Sequence, residues 1–168
     1  LAHRDPKGHR RLHPREGMFA SAARSAAFNA IVGRRILDGA WLSVQENDVV
    51  ILNGLGSHFQ VGNDEVSQIN DRISQGELSP TAPLAGRRTK TSARQAEDER
   101  RIILEDSTLG PWLIGLFREE ERRSVRILPK NLEWDWTDTT LTLVFELPKG
   151  TFATALLNEL GEIKEANA

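Results

Sequence analysis

The chain has no cysteine. That excludes disulfides and any metal centre built on thiolates, and it is compatible with a reducing compartment. Long apolar runs are missing as well. None approaches the roughly 18 residues that a bilayer-spanning helix needs, and no secretory signal pattern is visible. Net charge is only −2 over 168 residues, so no global field draws the chain to a partner of one sign. Stand-alone catalytic signatures are also lacking: there is no G-x-x-x-x-G-K-[ST] phosphate cradle, no G-x-G-x-x-G turn, no H-E-x-x-H helix and no G-x-S-x-G elbow. Gly54-Leu55-Gly56-Ser57 fits a hairpin turn better than a phosphate cradle. The acidic runs at Glu97, Asp98 and Glu99 and at Glu119, Glu120 and Glu121 read as solvated faces.

What the chain does have is arginine: 17 of its 22 basic residues. Arginine forks pair with carboxylate or phosphate, and guanidinium planes stack on rings. The length suffices for one domain, or pieces of two, with a real core. Residues 1–17 read as a basic linker with five basic and two acidic groups, an arm able to touch a phosphate backbone. Three of the four histidines fall here: His3, His9 and His13. Only His9 and His13 have a spacing that could share a helix face, and Pro14 argues against a helix there. The chain opens on Leu1 in mid-stretch, so further residues are expected upstream.

Apolar periodicity predicts a helix over 18–38, with Phe19, Ala23, Ala26, Ala27, Ala30, Ile31, Ile36 and Leu37 in register and Gly39 closing it. Residues 41–61 read as three short strands, WLSV, DVVILNG and SHFQVG, turned at Asn47-Asp48 and Asn53-Gly54. A helix over 63–75 is expected, capped by Asn63, with Val66, Ile69 and Ile73 inward. Residues 76–92 read as a long loop rich in Pro, Gly and Thr, with Arg87, Arg88, Lys90 and Arg94 in or beside it. A charged helix over 93–106 follows, then an apolar one over 108–121 with Leu109, Trp112, Leu113, Leu116 and Phe117 on one side. Residues 122–129 read as a basic strand. Residues 131–136 are extended, with Leu132, Trp134 and Trp136 on one face and the tryptophans expected in a core.

The end of the chain is the best-formed local unit. Leu141, Leu143, Phe145 and Leu147 alternate with Thr140, Thr142, Val144 and Glu146, the period of a strand with one apolar face. Pro148 ends the ladder and Gly150 permits a tight turn. Thr151 is placed to cap a helix whose apolar face is Phe152, Ala155, Leu156 and Leu160. Phe152 then has two readings. It either stacks on a flat ring beside free backbone donors or anchors a core under the turn.

Two blocks carry a resemblance. Phe19-Ala20-Ser21-Ala22-Ala23-Arg24-Ser25-Ala26-Ala27-Phe28-Asn29 resembles the helix that opens the insertion domain of the TruD family of tRNA pseudouridine synthases. Leu147-Pro148-Lys149-Gly150-Thr151-Phe152-Ala153-Thr154, with Leu156, Leu157, Glu159 and Leu160, is similar to that family's closing motif. Between them, Asn47-Asp48, the turn from Leu52 to Phe59, the segment Ser79–Gly86, Arg122-Arg123 and Trp134-x-Trp136 fall in the family's order, over about residues 12–160. The resemblance implies an α+β chain of mixed sheet pieces with packed helices: a linker over 1–14, an insertion domain over 15–127, and a returning strand–turn–helix of the catalytic domain over 128–168.

By the same resemblance, the family isomerises a uridine of tRNA to pseudouridine (U13 of tRNA-Glu in bacterial members) with no metal or organic cofactor. An Asp nucleophile drives cleavage of the glycosidic bond, and the base rotates and rejoins through carbon 5. Phe152 matches the family's aromatic substrate contact. Arg10, Arg11, Arg15, Arg24, Arg122, Arg123 and Arg126 are candidate phosphate contacts. The implied partner is tRNA, and the implied enzyme is a cytoplasmic monomer with no membrane association. The chain departs from the pattern: it contains no Lys-Asp pair and no N-Y-F-G-x-Q-R-F-G block, both expected upstream of Leu1, Thr151 stands where the family commonly has Ser, and the tail after Leu160 does not resemble the family's end. A non-catalytic RNA-binding module or a decayed fragment is the alternative, and an unrelated protein-interaction domain is a third.

Overall fold

The computed structural model describes residues 13–87, 96–105, 109–117, 119–148 and 150–161. The architecture is α+β. In chain order the elements are α1 (Pro14–Leu37), β1 (Val49–Leu52), β2 (His58–Gln60), a 3-10 turn (Asn63–Glu65), α2 (Val66–Ser74), β3 (Leu78–Leu84), α3 (Ala96–Glu105), α4 (Leu109–Leu116), β4 (Glu121–Ser124), β5 (Lys130–Thr137), β6 (Thr140–Glu146) and α5 (Ala153–Leu157). The chain forms two compact units, one ending at Val125 and the other beginning at Arg126. No helix among the described residues is long and apolar enough to cross a membrane.

In the first unit an antiparallel sheet runs β2-β1-β3-β4. β3 is its centre. The first half of β3 pairs with β1 (Val50 opposite Pro80, Leu52 opposite Leu78). Its second half pairs with β4 (Thr81 opposite Ser124, Leu84 opposite Glu121). All seven residues of β3 are buried. This segment, expected as a loop, is therefore the most enclosed strand of the sheet. Two apolar clusters meet along it. Ala82, Leu84 and Ala85 join Phe28 and Ile31 of α1, Ile103 of α3, Leu113 of α4 and Val125. Leu78 joins Val44, Val50, Val61 and Ile69 and Ile73 of α2.

Several local expectations change for identifiable reasons. α1 begins at Pro14, not at Met18. A proline at the first helical position gives up a donor that has no partner there anyway, and the Glu16 carboxylate accepts from the His13 backbone N–H at 3.0 Å. Residues 41–44 form no strand. The Asn70 amide takes both backbone groups of Val44, at 2.8 and 3.1 Å, in place of a neighbouring strand. Asn63 opens a 3-10 turn rather than capping α2, and the Gly62 N–H donates to the Glu65 carboxylate at 3.1 Å. The turn at Asn47-Asp48 forms as expected, with Asn47 at φ 71° and the Asp48 N–H donating to the Gln45 carbonyl.

α4 stops at Leu116 and buries Gly110 and Leu113, while Leu109 and Trp112 stay exposed. Its orientation follows from Gly110: a Cβ there would lie 2.2 Å from the Ile103 carbonyl oxygen, so the helix lies directly on α3.

The second unit is a β5–β6 hairpin followed by α5. Trp134 faces Leu143 across the hairpin and Trp136 faces Leu141. The tryptophans, expected in a core, are 70% and 59% exposed, and Leu132 is exposed beside them. A two-stranded ribbon has no second layer of its own to cover its apolar face. Leu143 and Phe145 are half-buried.

Two glycines test this packing. Nothing lies within 4 Å of a Cβ built on Gly33, inside α1, so Gly33→Ala is expected to raise stability by about 0.8–1 kcal/mol through helix propensity. Gly110→Ala must push α4 off α3, and its urea midpoint should fall below that of the wild type.

Candidate nucleic-acid interface

The strand–turn–helix at the end of the chain builds its turn from Thr151. The Thr151 hydroxyl donates to the Pro148 carbonyl at 2.6 Å and its N–H to the same oxygen at 3.2 Å. Gly150 supplies the positive φ, 86°, that this tight geometry requires. The hydroxyl thus closes the turn and does not cap the helix. Phe152 is the N-cap residue, in extended backbone, and its carbonyl accepts the N–H of Ala155. It stands one residue outside the helix, not in its first turn. Its ring is 74% exposed, so among the described residues it anchors no core. The structure presents a bare aromatic face on a closed turn.

The arginines divide by their partners. Arg24, in α1, reaches across to the end of β3 and the segment before β4. Its Nε donates to the Ala85 carbonyl at 2.7 Å and its Nη2 to the Glu119 carbonyl at 3.0 Å. Its Nη1 lies 3.6 Å from the Glu121 carboxylate. The guanidinium sits 4.2 Å over the Phe117 ring. Burial lowers its pKa; the Glu121 charge opposes this and the Arg123 charge adds to it.

Arg122 is more deeply engaged. Its Nε donates to the Thr81 hydroxyl at 2.8 Å and its Nη2 to the Thr81 carbonyl at 2.9 Å. Nη1 and Nη2 hold the Glu99 carboxylate in a fork at 3.0 and 3.2 Å. The Thr81 hydroxyl in turn donates to the Val49 carbonyl at 2.6 Å. Arg24 and Arg122, both candidate phosphate contacts on sequence, thus have their donors turned inward. Arg15 is exposed on α1 and Arg123 is half-buried, its guanidinium 5.7 Å from the Phe28 ring. Arg126 is partly buried, which lowers its pKa. Arg10 and Arg11 lie outside the described residues, as do His3 and His9. Among the described residues no group of three His, Cys, Asp or Glu is placed to hold a metal.

Glu99 was legible only as a solvated charge, yet it is 6% exposed. Burial raises its pKa above 4.5, and this outweighs the opposing pull of the Arg122 charge and hydrogen bond. The signal that points inward is its spacing, four residues before the buried Ile103 on the same helix. A second buried pair, Arg35 with Asp48 at 3.1 Å, ties α1 to the turn before β1, and Asp48 also accepts the Gln45 N–H at 3.0 Å. Burial, then the Arg122 charge, holds the His58 imidazole below its ordinary value.

Comparison with known proteins gives this arrangement its class. A family model described as tRNA pseudouridine synthase D (TruD) matches residues 7–160. The tRNA pseudouridine synthase D of Hydrogenovibrio crunogenus is 34% identical over 165 residues, covering 96% of this chain and 45% of that protein. The one from Xanthomonas axonopodis pv. citri is 36% identical over 167 residues, with the same coverage. A crystal structure of the putative tRNA pseudouridine synthase D (TruD) from Methanosarcina mazei superposes with a TM-score of 0.57 at 26% identity, over 81% of this chain and 36% of that one. The chain is therefore kin to the tRNA pseudouridine synthases. It belongs to the TruD family, and it spans less than half the length of the curated relatives it matches.

The Glu99–Arg122 pair generates two expectations. Arg122→Met leaves a buried carboxylate without its counter-charge and should cost about 3–5 kcal/mol in urea unfolding. A carboxyl whose folded pKa is raised binds its proton in the folded chain before it does so in the unfolded one. The stability it contributes is full below its ordinary range and falls as pH rises through the raised value. Glu99→Gln has no such group to ionise. Between about pH 4.5 and neutrality the variant should gain on the wild type, by at most about 1.4 kcal/mol per pH unit. A variant that loses ground over that range would show that the ion pair outweighs desolvation.

Proposed function

We propose that the polypeptide carrying this chain isomerises a uridine of tRNA to pseudouridine, with U13 of tRNA-Glu as the substrate position. In this proposal the enzyme is cytoplasmic and monomeric and uses neither metal nor organic cofactor. Its nucleophile is an Asp outside this chain. The chain's own contribution is to hold substrate.

The observation that carries this is the exposure of Phe152 on a turn closed by Thr151. A uridine within a folded tRNA has to leave its stack before its glycosidic bond can be reached, and the freed base needs an aromatic or apolar face. An aromatic held by a hydrogen-bonded turn offers that face at low entropic cost, because the turn is already closed. In the reaction the bond from C1′ to N1 breaks, the uracil rotates, a bond from C1′ to C5 forms, and the proton on C5 leaves while N1 ends protonated. A ring stacked on the base permits rotation in its own plane while resisting escape. Of the candidate phosphate contacts, Arg15 and Arg123 have no carboxylate partner among the described residues and leave donors open to phosphate, whereas Arg24 and Arg122 serve the scaffold.

Phe152→Ala in the complete polypeptide should lower pseudouridine formation by about 5- to 150-fold, the equivalent of one stacked base. Because the ring is exposed, the melting temperature should stay within about 1–2 °C. Full retained activity would remove Phe152 from the substrate site, and a collapse in melting temperature would make it a structural residue. Salt-dependent tRNA binding by this chain without product, from a complete polypeptide that also forms none, would establish the RNA-binding module.

A further inference from the structure

Most described arginines are committed to a carboxylate. Arg24 pairs with Glu121, Arg34 with Asp38, Arg35 with Asp48, Arg72 with Glu77, Arg100 with Glu120 and Arg122 with Glu99. Arg101 and Arg126 have other contacts. Arg15, Arg87 and Arg123 have no carboxylate partner among the described residues. In a chain with 24 acidic residues against 22 basic ones, cations left without a counter-charge are the exception.

Two of these three share a place. Arg123 sits over Phe28, one turn of α1 beyond Arg24, close enough for its charge to act on the Arg24 guanidinium. Arg87 is tied to the same stack. Its N–H donates to the carbonyl of Phe117, the ring under Arg24, and its side chain makes one long contact, Nη2 to the Gly115 carbonyl at 3.4 Å. Arg15 does not belong to this group. It precedes Arg24 by nine residues, which at 100° per residue is half a turn around the helix.

The group is therefore Arg123, Arg24 and Arg87. The Arg24 guanidinium is fixed by the carbonyls of Ala85 and Glu119 and by the Phe117 ring. Glu121, at 3.6 Å from Arg24, is the carboxylate facing it. An anion beside Arg24 and Arg123 would relieve the like-charge repulsion between them.

We propose that Arg87 and Arg123 bind the phosphodiester backbone of tRNA beside the Arg24–Phe117 stack. This rests on the reading that the polypeptide acts on tRNA. Guanidinium forks match two phosphate oxygens at once, and a chain with no global positive field needs local, unpaired cations to hold RNA. Contacts of this kind position the substrate without reading its sequence.

The test is the affinity for an unmodified tRNA transcript between about 50 and 200 mM salt, where the slope of log affinity against log salt counts the phosphates neutralised. It is measured on the complete polypeptide. Arg87→Ala and Arg123→Ala should each weaken binding and flatten the slope by about 0.7–0.9, additively in the double variant. Arg123→Lys keeps the charge and should keep the slope. Arg72→Ala, which breaks an exposed pair at Glu77, should leave it unchanged. A wild-type slope that survives in both alanine variants overturns this inference while leaving the tRNA reading intact. No salt-dependent tRNA binding by the wild type overturns the tRNA reading itself.

Discussion

The first unit depends on the side chains that stand in for missing backbone donors in β3. Pro80 and Pro83 place two residues without an N–H in the central strand of the sheet, a position where proline is normally excluded. The Thr81 hydroxyl donates to β1 at Val49, and Arg122 on β4 donates to both the hydroxyl and the carbonyl of Thr81. The same guanidinium then holds Glu99 of α3. Arg122 thereby ties its own strand and a helix to β3, while the Thr81 hydroxyl ties β3 to β1. Buried polar networks of this type are favourable only when every member is satisfied, and this one is.

That demand explains how the arginines divide. A scaffold with proline at its centre and carbonyl-rich segments at its edges needs rigid multi-donor side chains inside, and Arg24, Arg35 and Arg122 fill that need. Others, Arg15, Arg34, Arg87 and Arg101 among them, are left at the surface. An abundance of arginine therefore says little by itself about nucleic acid. The partners of each guanidinium decide which of the two purposes it serves.

Much of the second unit was legible because it is local. The alternation of β6, the proline that ends it and the turn at Gly150 involve residues within a few positions of one another. The details that failed were also local: the Thr151 hydroxyl could have capped the following helix, and it donates instead to the Pro148 carbonyl. β3 was illegible for a different reason. Leu78-Ser79-Pro80-Thr81-Ala82-Pro83-Leu84 has the composition of a loop, and partners about 30 residues before it in β1 and about 40 residues after it in β4 make it a strand. The roles of Arg24 and Arg122 were hidden likewise, since their acceptors lie 60, 95 and 41 residues away. The exposed tryptophans of β5 had the right face and the wrong surroundings, because periodicity fixes which residues share a side and not what covers it.

The distance between β3 and its donors also has a consequence in time. Arg122 leaves the ribosome 41 residues after Thr81. At a synthesis rate of about 5–20 residues per second, the strand waits roughly 2–8 seconds before β4 arrives. During that interval its carbonyls face water on one side. The two prolines then act as a safeguard, since a strand that cannot donate at those positions is a poor template for pairing with another nascent chain. The residues that make β3 hard to complete are the ones that keep it unpaired until the correct neighbour has been made.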